Sequence, residues 1–265
     1  MEIKNLFNVQ NKVAIVTGGS RGIGEMITSG FLANGVKVYI SARKARPLIE
    51  KAKELSDIYE QDCIAIPCDL STMDGINDFH QQIIEQEEGV DFLINNAGAA
   101  WGESFESFSE NGWNKVMDLN VKSIFFLTQK MKSLLLKRAS LDDPSRVINI
   151  GSIDGLNVPA FETYSYSTSK AAVHHLTRVM AAKLVKENIL VNAIAPGPYP
   201  SAMLGSAVNS DYSEIEKNNP RKRVGTPEDI AGLTIFLCSR AGAYTVGETI
   251  TSDGGIVKTT GHNLS

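Results

Sequence analysis

Two side chains in Tyr166-Ser167-Thr168-Ser169-Lys170 could move a proton. Residues four apart on a helix share a face, which sets the phenol beside the ammonium. A free phenol titrates at about 10 and is a poor base at neutral pH. A fixed positive charge nearby favours the phenolate and lowers that value. The pair could then donate or accept a proton near working pH. The neighbouring Tyr164 has Thr168 four residues on, so the paired-charge argument selects Tyr166, and Tyr164 reads as packing at the helix start.

A second group, Thr17-Gly18-Gly19-Ser20-Arg21-Gly22-Ile23-Gly24, could hold a phosphate. A tight turn needs positive φ or a missing Cβ, and a pyrophosphate needs backbone N–H groups within reach. The helix that follows adds the positive end of its dipole. The spacing is Gly-x-x-x-Gly-x-Gly, not the Gly-x-Gly-x-x-Gly of the common dinucleotide fingerprint. At the end of the second strand, Ile40-Ser41-Ala42-Arg43-Lys44 carries no carboxylate of the kind that holds a free ribose 2′-hydroxyl. Arg43, with Arg21 in the loop, could instead bind a 2′-phosphate through paired hydrogen bonds; Lys44 reads as an ordinary helix-start residue. The cofactor expected is NADP(H).

The elements that must position these groups alternate between short apolar runs and helical patterns. Strands are expected at Val13–Val16, Val36–Ile40, Cys63–Pro67, Asp91–Ile94, Arg146–Ile150, Ile189–Ile194 and Glu248–Ser252. Helices are expected at Gly22–Asn34 and near Ile76–Glu88, Trp113–Lys137, Tyr164–Lys186 and Pro227–Ser239. Strand runs without polar alternation imply a parallel sheet covered on both faces. The fold expected is α/β, one doubly wound Rossmann-like domain over residues 1–265 with about seven strands. The irregular Pro/Gly/Ser-rich stretch 197–220 reads as a substrate lid.

Hydrophobic residues make up 43% and charged residues 21% of the 265, which fits a globular chain. A net charge of -4 suggests no track for nucleic acid. No apolar run reaches the length of about 18 residues that a membrane span needs. Cys63, Cys68 and Cys238 form no zinc or redox spacing, so reduced thiols, no metal and a cytoplasmic setting are expected. His174 and His175 read as surface or interface packing.

Thr17-Gly18-x-x-x-Gly22-x-Gly24, Asn95-Asn96-Ala97-Gly98 and Tyr166-x-x-x-Lys170 resemble the short-chain dehydrogenase/reductases across nearly the whole chain. The resemblance implies an oxidoreductase with a catalytic tetrad of Asn120, Ser152, Tyr166 and Lys170. Ser152 would orient the reacting oxygen and Asn120 would order a water leading to the lysine. The cofactor set it implies is Gly18, Ser20, Arg21, Gly22, Ile23, Gly24, Arg43, Asp69, Leu70, Asn95, Ala97, Gly98, Tyr166, Lys170, Pro196 and Gly197. Asp69 would approach the adenine, and Lys170 would lower the phenol pKa and bind the nicotinamide ribose. Ser201 stands where the family often has threonine, and its cofactor contact is open.

Ser152 and Tyr166 lie fourteen residues apart, one more than is usual in the family, with the extra residue placed in Asp154–Thr163. That spacing, the long Ala139–Arg146 connection and Val147-Ile148-Asn149-Ile150-Gly151-Ser152 resemble the NADPH-dependent 3-oxoacyl reductases associated with rhamnolipid synthesis. A 3-oxoacyl thioester on acyl carrier protein or coenzyme A would suit a lid bearing Tyr199, Met203 and Leu204. Sugar, polyol and steroid-like carbonyls stay open, as does a non-catalytic dinucleotide sensor, although such sensors usually lose the tyrosine or lysine. Trp101, Trp113, Phe105 and Phe108 could line a substrate mouth or be core. The family implies a homotetramer or homodimer through Trp113–Lys137 and Tyr164–Lys186.

Overall fold

The structure is a computed structural model that describes residues 2–159, 161–207 and 211–259. Its elements run α1 (Ile3–Leu6), β1 (Val13–Thr17), α2 (Gly22–Leu32), β2 (Lys37–Ala42), α3 (Ala45–Tyr59), β3 (Cys63–Pro67), α4 (Met73–Ile84) and β4 (Phe92–Asn95). They continue with α5 (Glu110–Met117), a π-helical turn (Asp118–Lys122), α6 (Ser123–Arg138), β5 (Ser145–Ile150), α7 (Tyr164–Leu184) and β6 (Ile189–Pro196). The chain closes with α8 (Ala202–Ala207), α9 (Ser213–Asn218), α10 (Pro227–Cys238), β7 (Thr249–Ser252) and α11 (Ile256–Thr259). The seven expected strands are present within two residues at each end.

The strands form one parallel sheet in the order β3-β2-β1-β4-β5-β6-β7. Side chains alternate between its two faces. Ala14, Val16, Val38, Ile40 and Ile94 point to a core shared with Ile27 and Phe31 of α2, Leu48 of α3 and Ile230 of α10. Val13, Ile15, Tyr39, Leu93 and Val147 point to the other core, with Phe79 of α4, Met131 of α6 and Val173 of α7. Burial on both faces explains why the strand runs lack polar alternation. The order reverses between β1 and β4, so their C-terminal ends flank a crevice of the kind where α/β sheets bind ligands.

Three elements depart from expectation. Helix α3, signalled beforehand only by the helix-start reading of Lys44, runs from Ala45 to Tyr59, with buried Leu48, Ala52 and Leu55 at helical spacing among charges. The expected Trp113–Lys137 helix is broken by the π turn. The expected lid contains two short helices, α8 and α9.

Arg146 of β5 is the bulkiest wholly buried side chain. Among the described residues its guanidinium forms no ion pair, though Asp143 lies near enough to act on it, and it donates to the carbonyls of Leu237 (3.1 Å), Ser239 (3.2 Å) and Pro144. It thus satisfies carbonyls at the C-terminal end of α10 and complements the helix dipole. Arg146→Leu leaves these buried acceptors unpaired and is expected to lower the unfolding free energy by roughly 2–4 kcal/mol in urea titrations. A loss within experimental scatter would contradict this role.

Candidate active site

The glycine turn is built by clasping the ends of β1 and β4. Thr17 Oγ1 accepts from the Asn96 and Ala97 amides, both at 2.9 Å, and donates to the Ile94 carbonyl at 3.3 Å. Asn96 Nδ2 returns to the Thr17 and Gly18 carbonyls at 2.8 and 3.2 Å. The Gly18 amide donates to the Ser41 carbonyl of β2 at 2.8 Å. Gly18 and Gly22 adopt φ of 65° and 54°, which side chains disfavour. A Cβ on Gly24 would collide with the Gly18 carbonyl and the Asn96 amide. The turn therefore presents bare backbone at the start of α2, which is what a pyrophosphate requires. Arg21, Arg43 and Lys44 are exposed around it, and among the described residues no carboxylate pairs with them. Ser20 lies half-buried in the same turn.

Further along the same sheet edge, Ser152 follows β5 and Tyr166 and Lys170 face it from the first turns of α7. Ser152 and Lys170 are buried. A hydrogen bond from Ser152 acts on the Tyr166 phenol. Lys170 Nζ donates to the Ile150 carbonyl at 2.8 Å and stands 5.5 Å from the centre of the Tyr166 ring. The π turn directs Asn120 inward, where its amide brackets Ala99 (2.8 and 2.9 Å) and Ser169 Oγ (2.9 Å). Single π turns often occur at functional sites. A Cβ on Gly98 would stand 3.3 Å from Asn120 Oδ1 and 3.8 Å from Lys170 Nζ, so this glycine leaves a small polar gap between them.

The charges are arranged differently from expectation. Tyr166 as a whole is half-buried, yet burial pushes its phenol up to about 12, with Ser152 opposing and Asp154 adding. Burial likewise pushes Lys170 down to about 8, with Asp154 opposing. Desolvation penalises both charged forms and outweighs the expected effect of the ammonium on the phenol. At neutral pH the Tyr166 phenol is therefore protonated. Asp154 is half-buried, and burial raises its carboxyl while Lys170 lowers it.

Several expected contacts are redirected. The Asn95 side chain points into the layer between sheet and helices, donating to Asn149 Oδ1 (2.9 Å) and Thr128 Oγ1 (3.2 Å). Leu70 is buried in a core cluster, so only its backbone can face a cofactor, whereas Ile23 packs against the other cluster and stays partly exposed. Asp69 accepts from Ser71 at 2.7 and 3.0 Å, which orders the turn after β3. Gly197 lies where a Cβ would stand 2.8 Å from Asp253 Cα, so its small size serves packing beside Pro196 at the end of β6. Tyr199 is buried with its hydroxyl on Ser252 (2.6 Å) and is no lid contact. Met203's side chain lies outside the described part of the structure. Ser201 does approach the turn: a Cβ on Gly22 would stand 3.2 Å from its Cβ. Trp101 is held by Glu103 at 2.8 Å and packs over Gly112, while Phe105 and Phe108 each stand 5.6 Å from the Tyr164 ring. His175 is exposed, but His174 is buried, contrary to the surface reading.

Thr17, Asn96 and Asp154 act at the site without having been singled out. Thr17 and Asn96 stand inside the two motifs, which was the available signal. Asp154 has no such signal, because its approach to Lys170 depends on how the loop after β5 folds.

A family profile described as enoyl-(acyl carrier protein) reductase matches residues 18–257. Over 252 residues the chain is 45% identical to the rhamnolipids biosynthesis 3-oxoacyl-(acyl carrier protein) reductase of Pseudomonas aeruginosa, covering 94% of this chain and 97% of that one. The chain belongs to the short-chain dehydrogenase/reductase family. Within that family it is 34% identical over 261 residues to 2-dehydro-3-deoxy-D-gluconate 5-dehydrogenase of Dickeya dadantii, covering 96% of this chain and 98% of that one. The solved Pseudomonas aeruginosa RhlG/NADP active-site complex superposes with a TM-score of 0.91 at 44% identity, over 97% of this chain and 100% of that one.

Burial of Lys170 has a stability consequence. Its folded-state value, about 8, lies below the ordinary 10.5, so the fold carries a charge-burial penalty below pH 8. As pH rises from there to about 10.5, the unfolded chain holds the proton more tightly and this penalty is relieved. Relative to Lys170→Met, the wild type is expected to gain roughly 3 kcal/mol in urea titrations across that window. A difference independent of pH would contradict it.

Proposed function

We propose that this protein is an NADPH-dependent carbonyl reductase whose substrate is a 3-oxoacyl thioester, on acyl carrier protein or coenzyme A, reduced to the 3-hydroxyacyl form. The arrangement that carries this is the Tyr166 phenol, raised by burial and lowered by Ser152, beside a turn of bare backbone amides. The residues fit a nicotinamide dinucleotide phosphate. The turn Gly18–Gly24 leaves the space a pyrophosphate needs, and Arg21 and Arg43 offer unpaired positive charge to a 2′-phosphate. Ala97, Gly98 and the backbone about Pro196 line the crevice toward Lys170. When bound, NADPH supplies the hydride.

The chain's own groups do the rest. Ser152 binds the carbonyl oxygen and holds it against Tyr166. The phenol gives its proton to that oxygen as negative charge develops there. A phenol that burial keeps protonated at neutral pH is in the form the reductive direction needs. Lys170 binds the nicotinamide ribose, and its charge stabilises the phenolate left behind. The gap beside Gly98 has the polar lining for a water joining Lys170 to Asn120.

The acyl assignment rests on the 45% identical relative's name and on the fourteen-residue spacing from Ser152 to Tyr166. The segment 197–220, with Ser201 against the turn, is the proposed lid of a single domain. Exposed Phe125 and Leu136 on α6 and Val179 on α7 support assembly as a homodimer or homotetramer. Among the described residues no helix is long and apolar enough to cross a membrane, and the three cysteines are free. We place the enzyme in the cytoplasm, where reduced thiols persist.

With acetoacetyl-coenzyme A, absorbance should report oxidation of NADPH much faster than of NADH. Tyr166→Phe should lower kcat by roughly a hundredfold or more. Arg21→Ala combined with Arg43→Ala should raise the KM for NADPH about tenfold and leave that for NADH nearly unchanged. Reduction of 2-keto sugars with no turnover of acetoacetyl thioesters would overturn the acyl assignment. An active Tyr166→Phe would overturn the proton donor.

A further inference from the structure

His174 stands one helical turn beyond Lys170 on α7, so both side chains face the sheet. It is 3% exposed and takes part in no step above. The chain leaving β5 bends around its ring. A Cβ on Gly151 would collide with the imidazole Nε2. A Cβ on Gly155 would stand 2.9 Å from Cε1 and 2.6 Å from the Ala171 amide of α7. The two glycines thus let the loop lie directly on the imidazole, with Ser152 between them.

Ser152 is held from two sides. Its amide donates to His174 Nε2 at 3.4 Å, a long bond but the acceptor this buried N–H finds. Its Oγ accepts from the Asp154 amide at 3.1 Å. With those contacts made, the hydroxyl lies near enough to the Tyr166 phenol to lower its titration. Burial, with the charges of Lys170 and Arg178, pushes the imidazole down to about 4, against a weaker pull from the Gly155 backbone. The ring is therefore neutral at working pH. A neutral imidazole has one accepting nitrogen, so the contact at Nε2 requires the proton on Nδ1, a buried atom without a hydrogen-bond partner whose desolvation the fold must bear.

We propose that His174 is a positioning residue, which as the neutral Nδ1–H tautomer accepts the Ser152 amide and so sets the Ser152 hydroxyl against Tyr166 and the reacting oxygen. The inference rests on the reading of Ser152 and Tyr166 given above. Its effect falls on kcat, because the Ser152 contact strengthens only as charge develops on that oxygen.

The chain has four histidines, so the ring resolves in a nitrogen-15 spectrum of the whole protein. The expected signature is an Nδ1–H tautomer that does not protonate down to about pH 5. His174→Leu, which cannot accept, should lower kcat by roughly tenfold to a hundredfold. Its substrate KM and its Kd for NADPH should stay within about twofold. His174→Gln, whose Oε1 can take the Nε2 position, should recover most of the rate. In a Ser152→Ala background, His174→Leu should cost nothing further. An Nε2–H tautomer, a folded His174→Leu with unchanged kcat, an equal loss in His174→Gln, or a full loss persisting on Ser152→Ala would overturn the inference. A fully active Ser152→Ala would instead overturn the assignment of Ser152, and this inference with it.

Discussion

The site depends on one small knot of hydrogen bonds, that between Thr17 and Asn96. A parallel sheet brings the C-terminal ends of all its strands to one edge, and the reversal of strand order opens a crevice between β1 and β4. An open crevice would leave two loops free to move apart. The Thr17 hydroxyl prevents this by accepting from two amides of the facing loop, and the Asn96 amide answers with two bonds back. The glycine turn is thereby pressed against the residues that lead to Gly98, and from there to Asn120 and Lys170. The glycine turn and the Tyr166–Lys170 pair are placed relative to each other by the same contacts.

The second constraint is the low dielectric of the crevice. It raises the phenol and lowers the ammonium, so Tyr166 keeps its proton and Lys170 is charged at some expense to stability. The fold tolerates this because Lys170 keeps a carbonyl partner on β5 and Asp154 lies near. Destabilised groups held in place by a rigid scaffold are common where chemistry is done. Ser152 links the two features, since its hydroxyl is the interaction that lowers the Tyr166 phenol.

Much of this was legible in the sequence. Seven apolar runs marked the strands, and the glycine spacing and the tyrosine–lysine pair marked the two halves of the site. Other features depended on information that spacing does not carry. Asn95 shares a motif with Asn96, yet strand alternation turns one inward to Asn149 and the other toward the turn. Leu70 follows a cofactor-type aspartate but buries its side chain in the core. Helix α3 carries an apolar stripe at Leu48, Ala52 and Leu55, so its signal was present in the sequence and was read no further than the helix start at Lys44. The π turn is invisible to a pattern of period 3.6, and it is what directs Asn120 inward. The burial of His174 and the reversed direction of the Tyr166 shift followed only from how the loop after β5 packs.

Titration of NADPH into Thr17→Val, followed by nicotinamide fluorescence, tests the central claim most directly. The substitution keeps the shape of residue 17 and removes the hydroxyl that clasps the two strand ends. The account predicts a folded protein, by circular dichroism, whose Kd for NADPH is at least about tenfold weaker, because two partly buried amides lose their acceptor and the turn loses its brace. Wild-type affinity in a folded Thr17→Val would contradict it.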